Sequence, residues 1–148
     1  MKYTTHITVA RPRPEVIERL ADSRHYSAWM ESLVSMEVLE GEPGKVGTKT
    51  RLAHKMGKRE VVMLETIRQR EDPSLFIATY EADGVWNQAI NRFEEADGGN
   101  TKWVMETEFK CTGIMRLMTM LMPGMFKKQT QKTMEAFQAF MEAATPEE

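Results

Sequence analysis

The sequence predicts an α+β fold: a curved antiparallel sheet closed over one long C-terminal helix, with two short helices between the first strand and the second. Three observations predict it. From Phe126 to Met141, the residues Phe126, Met134, Phe137 and Met141 recur at three- and four-residue steps, with Thr130 and Thr133 on the same side. That spacing is one apolar stripe of a helix. Upstream, most of the chain alternates polar and apolar residues with period two, and glycine turns separate the runs at hairpin spacing. Between the first run and the rest stands Arg11-Pro12-Arg13-Pro14, followed by two short stretches with helical spacing.

The elements follow in order. Tyr3, Thr5, Ile7 and Val9 alternate with Lys2, Thr4, His6 and Thr8, a half-buried strand. The prolines end it, since proline cannot donate to a ladder. Pro14 suits a first helical turn, Glu15 lies beside the positive helix end, and Val16, Ile17 and Leu20 form a short apolar face. Asp22 or Ser23 caps a second short helix carrying Tyr26, Trp29, Met30 and Leu33. Val34, Met36 and Val38 then alternate up to a Gly-Glu-Pro-Gly turn.

Thr48, Thr50, Leu52, His54 and Met56 share one face, opposite Lys49, Arg51, Ala53 and Lys55. Gly57 turns the chain into a strand from Arg59 to Ile67, and Asp72-Pro73 breaks it. The in/out parity of that strand, and of Val85 to Glu94, stays open from the pattern alone. Leu75 to Tyr80 is rich in β-formers, and Asp83-Gly84 is a hairpin signal before Val85 to Glu94. After Asp97-Gly98-Gly99-Asn100, the residues Thr101, Trp103, Met105, Thr107, Phe109 and Cys111 alternate against Lys102, Val104, Glu106, Glu108 and Lys110. Gly113 closes the sheet region, Ile114 to Met122 is helical in composition, Pro123-Gly124 interrupts, and the long helix follows. The last five residues, 144–148, are expected to fray. One sheet with one apolar face needs one cover.

Composition narrows the function classes. The 148 residues fit one domain, expected to span 1–148, that buries about two-thirds of its unfolded surface. A net charge of −2 supplies no basic field for nucleic acid, so no nucleic-acid partner is expected. The single cysteine, Cys111, fits a reducing compartment, and the N-terminus has no apolar signal core; a cytoplasmic protein is expected. No apolar run approaches the roughly 20 residues of a membrane span. Methionine is abundant, 13 in all, and five of them lie between Met115 and Met125. Met suits both core gaps and surfaces that adapt to variable ligands.

In this order of elements the chain resembles the START-like, pollen-allergen-like superfamily SRPBCC, near its polyketide cyclase/dehydrase and lipid-transport branch. The resemblance runs over nearly the whole chain. It rests on Ile7-Thr8-Val9 with Pro14-Glu15-Val16, Asp22 with Tyr26 and Trp29, and Gly44 to Gly47 ahead of a strand. It continues through Glu65-Thr66-Ile67 before Asp72-Pro73, the turn Gly98-Gly99-Asn100-Thr101, and Phe137 with Glu142 in the last helix. Asn100 stands where the family has glycine, and Asn also tolerates left-handed backbone. The resemblance implies a helix-grip fold, seven strands wrapped around the C-terminal helix, with a cavity for lipids, steroids or polyketides. It also implies that some members are cyclases or dehydratases while many carry or sense a ligand.

Against that background the residues propose a site. Trp86, Trp103, Met105, Phe109, Met134 and Phe137 form an apolar constellation that serves equally as core or as ligand lining. Leu52 and His54 share a face with it, and Met118 and Met122 would supply an adaptable lid. His54 could serve as acid or base, although a structural histidine is the commoner outcome. Glu65 is a candidate acid or base if it points inward, where burial would raise its pKa; the outward, solvated orientation is the preferred expectation. Asn87, Gln88 and Asn91 would orient a carbonyl or hydroxyl if turned inward. The three histidines lack metal-ligand spacing, so no metal and no cofactor is expected. The leading reading is a binder of a small hydrophobic or aromatic ligand. One rival is a cyclase or dehydratase using His54 or Glu65. The other is an interaction module with a filled core, whose Gly113–Phe126 segment lies on a membrane surface or in a homodimer interface.

Overall fold

A computed structural model describes residues 1–143. The expectation about residues 144–148 lies outside the described residues. The strands are β1 (Lys2–Val9), β2 (Leu33–Glu40), β3 (Lys49–Met56), β4 (Arg59–Glu71), β5 (Leu75–Ala82), β6 (Val85–Glu95) and β7 (Thr101–Cys111). They form one antiparallel sheet in the order β1-β7-β6-β5-β4-β3-β2, so the first two strands in sequence are its two edges. Helix α1 (Arg13–Ala21) and a 3-10 turn (Ser23–Ala28) separate them. Helices α2 (Gly113–Leu121) and α3 (Pro123–Ala143) follow β7. This is the helix-grip arrangement.

Tight turns fix the registers. Gly57-Lys58 joins Met56 to Arg59, and Asp83-Gly84 joins Ala82 to Val85, each a two-residue hairpin loop with its glycine at positive φ. Register shifts between Ile67 and Gln69, and at both ends of β2, add the local twist that lets the sheet curve.

The core lies under α1 and the C-terminal half of α3. Val16, Ile17, Phe93, Met134, Phe137 and Met141 are all buried there. The Phe137 ring sits edge-on between Trp29 and Trp103, with centroids 5.1 and 5.2 Å away. Helix α3 runs beside the open edge of β1 rather than across the middle of the sheet. Gln131 and Gln138 donate from α3 to the carbonyls of His6 (3.3 Å) and Thr8 (2.7 Å), and Tyr3 Oη lies 2.6 Å from Thr130 Oγ1. The unpaired edge of β1 is thereby covered.

Several expectations are corrected. The second short helix ends at Ala28, and Leu33 belongs to β2. Val34 is exposed because the register shifts between Leu33 and Ser35. Met56 sits at the strand end beside the turn, 59% exposed, and Ala53 on the opposite face is buried. Glu65 is fully buried, not solvated.

Candidate functional site

Because α3 hugs one edge, the concave face of β3 to β7 is left partly uncovered, and a cavity of about 720 Å³ opens there. That volume falls within the roughly 300–1,000 Å³ of small-molecule sites. Strand β3 contributes Leu52 and His54, and β7 contributes Trp103, Met105, Thr107 and Phe109. Met63 of β4, Phe76 and Tyr80 of β5, and Asn87, Ala89 and Asn91 of β6 complete the sheet side. Tyr26, Trp29 and Met30 close one end, and α3 lends Thr130, Thr133 and Ala136. Exposed Glu31, Gln129, Lys132 and Glu135 also border it, giving an apolar interior a polar rim. The interior is therefore not filled, contrary to the third reading.

The expected lining divides in two. Leu52, His54, Trp103, Met105 and Phe109 face the cavity. Met134 and Phe137 do not; both are buried in the core, and the Phe137 ring packs edge-on against Trp29 and Trp103. Trp86 lies on the other face of the sheet, opposite Lys110, whose Nζ stands 4.8 Å from the ring centroid. Its neighbour Asn87 takes the inner place, so the parity left open for β6 puts Asn87 and Asn91 inward and Gln88 outward. Met118 and Met122 are exposed on and just after α2, away from the cavity wall.

Some polar groups in the interior are tied down, whereas the Trp29 indole N–H is buried with no hydrogen-bond partner among the described residues. Trp103 Nε1 donates to Asn91 Oδ1 at 2.8 Å, and Asn91 Nδ2 donates to the Phe76 carbonyl at 3.1 Å. The amide is committed to holding the tryptophan. His54 Nδ1 lies 2.8 Å from Ser32 Oγ near the rim, and partial burial lowers the pKa of the ring. The imidazole is thus neutral at neutral pH.

Glu65 is the most unusual group. It is fully buried, and Tyr26 Oη donates to its two oxygens at 3.0 and 2.8 Å. Tyr80 also hydrogen-bonds to it. Burial raises its pKa to about 7 against the pull of those two hydroxyls, and both phenols are pushed well above their ordinary value, first by burial and then by the carboxylate. Both tyrosines border the cavity, so Glu65 stands one hydroxyl behind its wall. The pair Tyr26–Glu65 escaped sequence reasoning because 39 residues separate them. The inward parity of Glu65 had a signal. A two-residue loop at Gly57-Lys58 pairs His54 with Val61, Leu52 with Met63 and Thr50 with Glu65, so an inward Leu52 implies an inward Glu65.

The family described as polyketide cyclase / dehydrase and lipid transport matches residues 1–142, and the chain belongs to it. No curated protein matches the chain in sequence. Among solved structures, a Thermus thermophilus protein is similar with a TM-score of 0.81 at 16% identity, covering 98% of this chain and 99% of its own. An aromatase/cyclase from Streptomyces aligns with a TM-score of 0.78 at 17% identity, over 96% of this chain and 93% of its own. A START superfamily protein from Mycobacterium smegmatis gives a TM-score of 0.79 at 12% identity, over 97% and 99%. At these identities the likeness establishes the fold. Among the described residues, no helix is long and apolar enough to cross a membrane and no cluster of side chains could hold a metal ion.

Proposed function

We propose that this domain binds a flat, largely apolar molecule of the lipid, steroid or polyketide class between the concave sheet and the first half of α3. The cavity of about 720 Å³ with an aromatic and methionine lining is the observation that carries this reading. Affinity comes from apolar burial, about 25 cal/mol per Å² before ordering costs are subtracted. Trp29 and Trp103 both touch the cavity, so saturable quenching of tryptophan fluorescence by fatty acids, sterols or aromatic polyketides is the direct test. A panel across those classes with neither quenching nor a rise in Tm overturns the reading.

A second reading, a cyclase or dehydratase in the same cavity, is favoured by one specific feature: Glu65 behind two tyrosine hydroxyls. A carboxyl with a pKa near 7 exchanges protons readily at neutral pH. In its acid form it donates to a tyrosine oxygen, and that tyrosine's own proton is then free to turn to a substrate carbonyl. The ionised form reverses the exchange. On this reading Glu65→Gln and Tyr80→Phe lose turnover while binding survives. His54, neutral and bonded to Ser32 at the rim, takes the lesser part.

A further inference from the structure

Helix α2 is turned inside out. Ile114, Leu117, Met118 and Leu121 stand at three- and four-residue steps along one stripe, and all four face solvent, Ile114 at 75% and Leu121 at 71% exposure. Met120 and Met122 beside them are exposed as well. The residues α2 turns toward β7 and α3 are Met115 and Thr119, half-buried, and the helix has no buried residue at all. An apolar helix face held outward on a folded domain marks a surface that meets something apolar.

Charge says what. From Lys110 to Met134 the chain carries Lys110, Arg116, Lys127, Lys128 and Lys132 and no Asp or Glu, although the whole protein is net −2. All five cations are exposed. A second copy docked through the same face by a two-fold axis would set this basic zone against itself. An anionic bilayer surface instead supplies acyl chains for the stripe and phosphates for the lysines around it.

We propose that α2, with the lysines at the start of α3, docks the domain on the interface of anionic membranes as a peripheral contact. This stands independently of what fills the cavity. The test is co-sedimentation with vesicles of phosphatidylcholine alone and of phosphatidylcholine with roughly a third phosphatidylglycerol, at low and raised salt. Binding is expected to the anionic vesicles and to weaken with salt. Leu117→Asp with Leu121→Asp should reduce it at least about tenfold. Lys127→Gln with Lys128→Gln should reduce it by on the order of tenfold without touching the apolar stripe, which keeps the test decisive if the aspartates impair folding. Equal binding to both vesicle types, or none to either, overturns the proposal. So does a dimer that dissociates on Leu117→Asp in a protein that ignores vesicles.

Discussion

The two halves of α3 are built for different tasks. In the C-terminal half, Met134, Phe137 and Met141 are completely buried and hold the helix to the aromatic core. In the N-terminal half no residue is fully buried, and the inward stripe continues through Thr130 and Thr133, which border the cavity. A threonine is smaller than a phenylalanine and partly polar, so that half of the helix leaves space where the other half fills it. The contrast teaches that one amphipathic stripe can hold a fold together at one end and create a binding site at the other.

The sharpest way to break the contrast is Phe137→Ala. It empties a site between two tryptophans and should cost about 3–5 kcal/mol in chemical denaturation, whereas Thr133→Ala should cost less than about 1 kcal/mol. Equal losses would abolish the distinction between the halves.

Glu65 tests the cavity side. A carboxyl kept protonated by burial releases its proton later in the folded chain than in the unfolded one. Folding is therefore strongest below the ordinary value of 4.5, weakens as pH rises from there to about 7, and levels off above. The loss should be about 3 kcal/mol over that window. Glu65→Gln cannot ionise, so its stability profile should be flatter by that amount. Denaturation at pH 5 and pH 8 measures it, and an unchanged slope in the variant would show that the buried carboxyl is not the source.

A gentler probe fills the void. Ala136→Phe projects from α3 into the cavity and should change stability by less than about 1 kcal/mol, since space for the ring already exists. Quenching by any cavity ligand should disappear. Persisting quenching would place the ligand elsewhere. The smallest effect is expected at Trp86→Leu, which removes a contact with Lys110 worth roughly 0.5–1 kcal/mol and leaves ligand binding unchanged.

Much of this was legible in the residues. The β7 alternation places Trp103, Met105 and Phe109 on the inner face, and of the two residues the pattern offers as a cap, Asp22 and Ser23, it is Asp22 that accepts from the Arg24 amide at 2.9 Å. Trp86 misled because bulk and apolarity do not reveal the face of a strand; parity does, and the Asp83-Gly84 loop carried it by pairing Tyr80 with Asn87. Met118 and Met122 misled because nine residues of helical composition do not say which side is covered. Only the seat of α2 against β7 and α3 decides that.

The sequence by itself determined the order of elements and the inward side of β1 and β7, because both follow from local periodicity; it left the parity of β4 and β6 open, and there Glu65 and Asn87 turned out to face inward. The tertiary structure decided how far apart the apolar surfaces stand. Periodicity names the greasy side of a helix and of a sheet but carries no distance between them. Here that distance was set by α3 anchoring its C-terminal half to the core and its flank to the edge of β1, which leaves the rest of the concave face open.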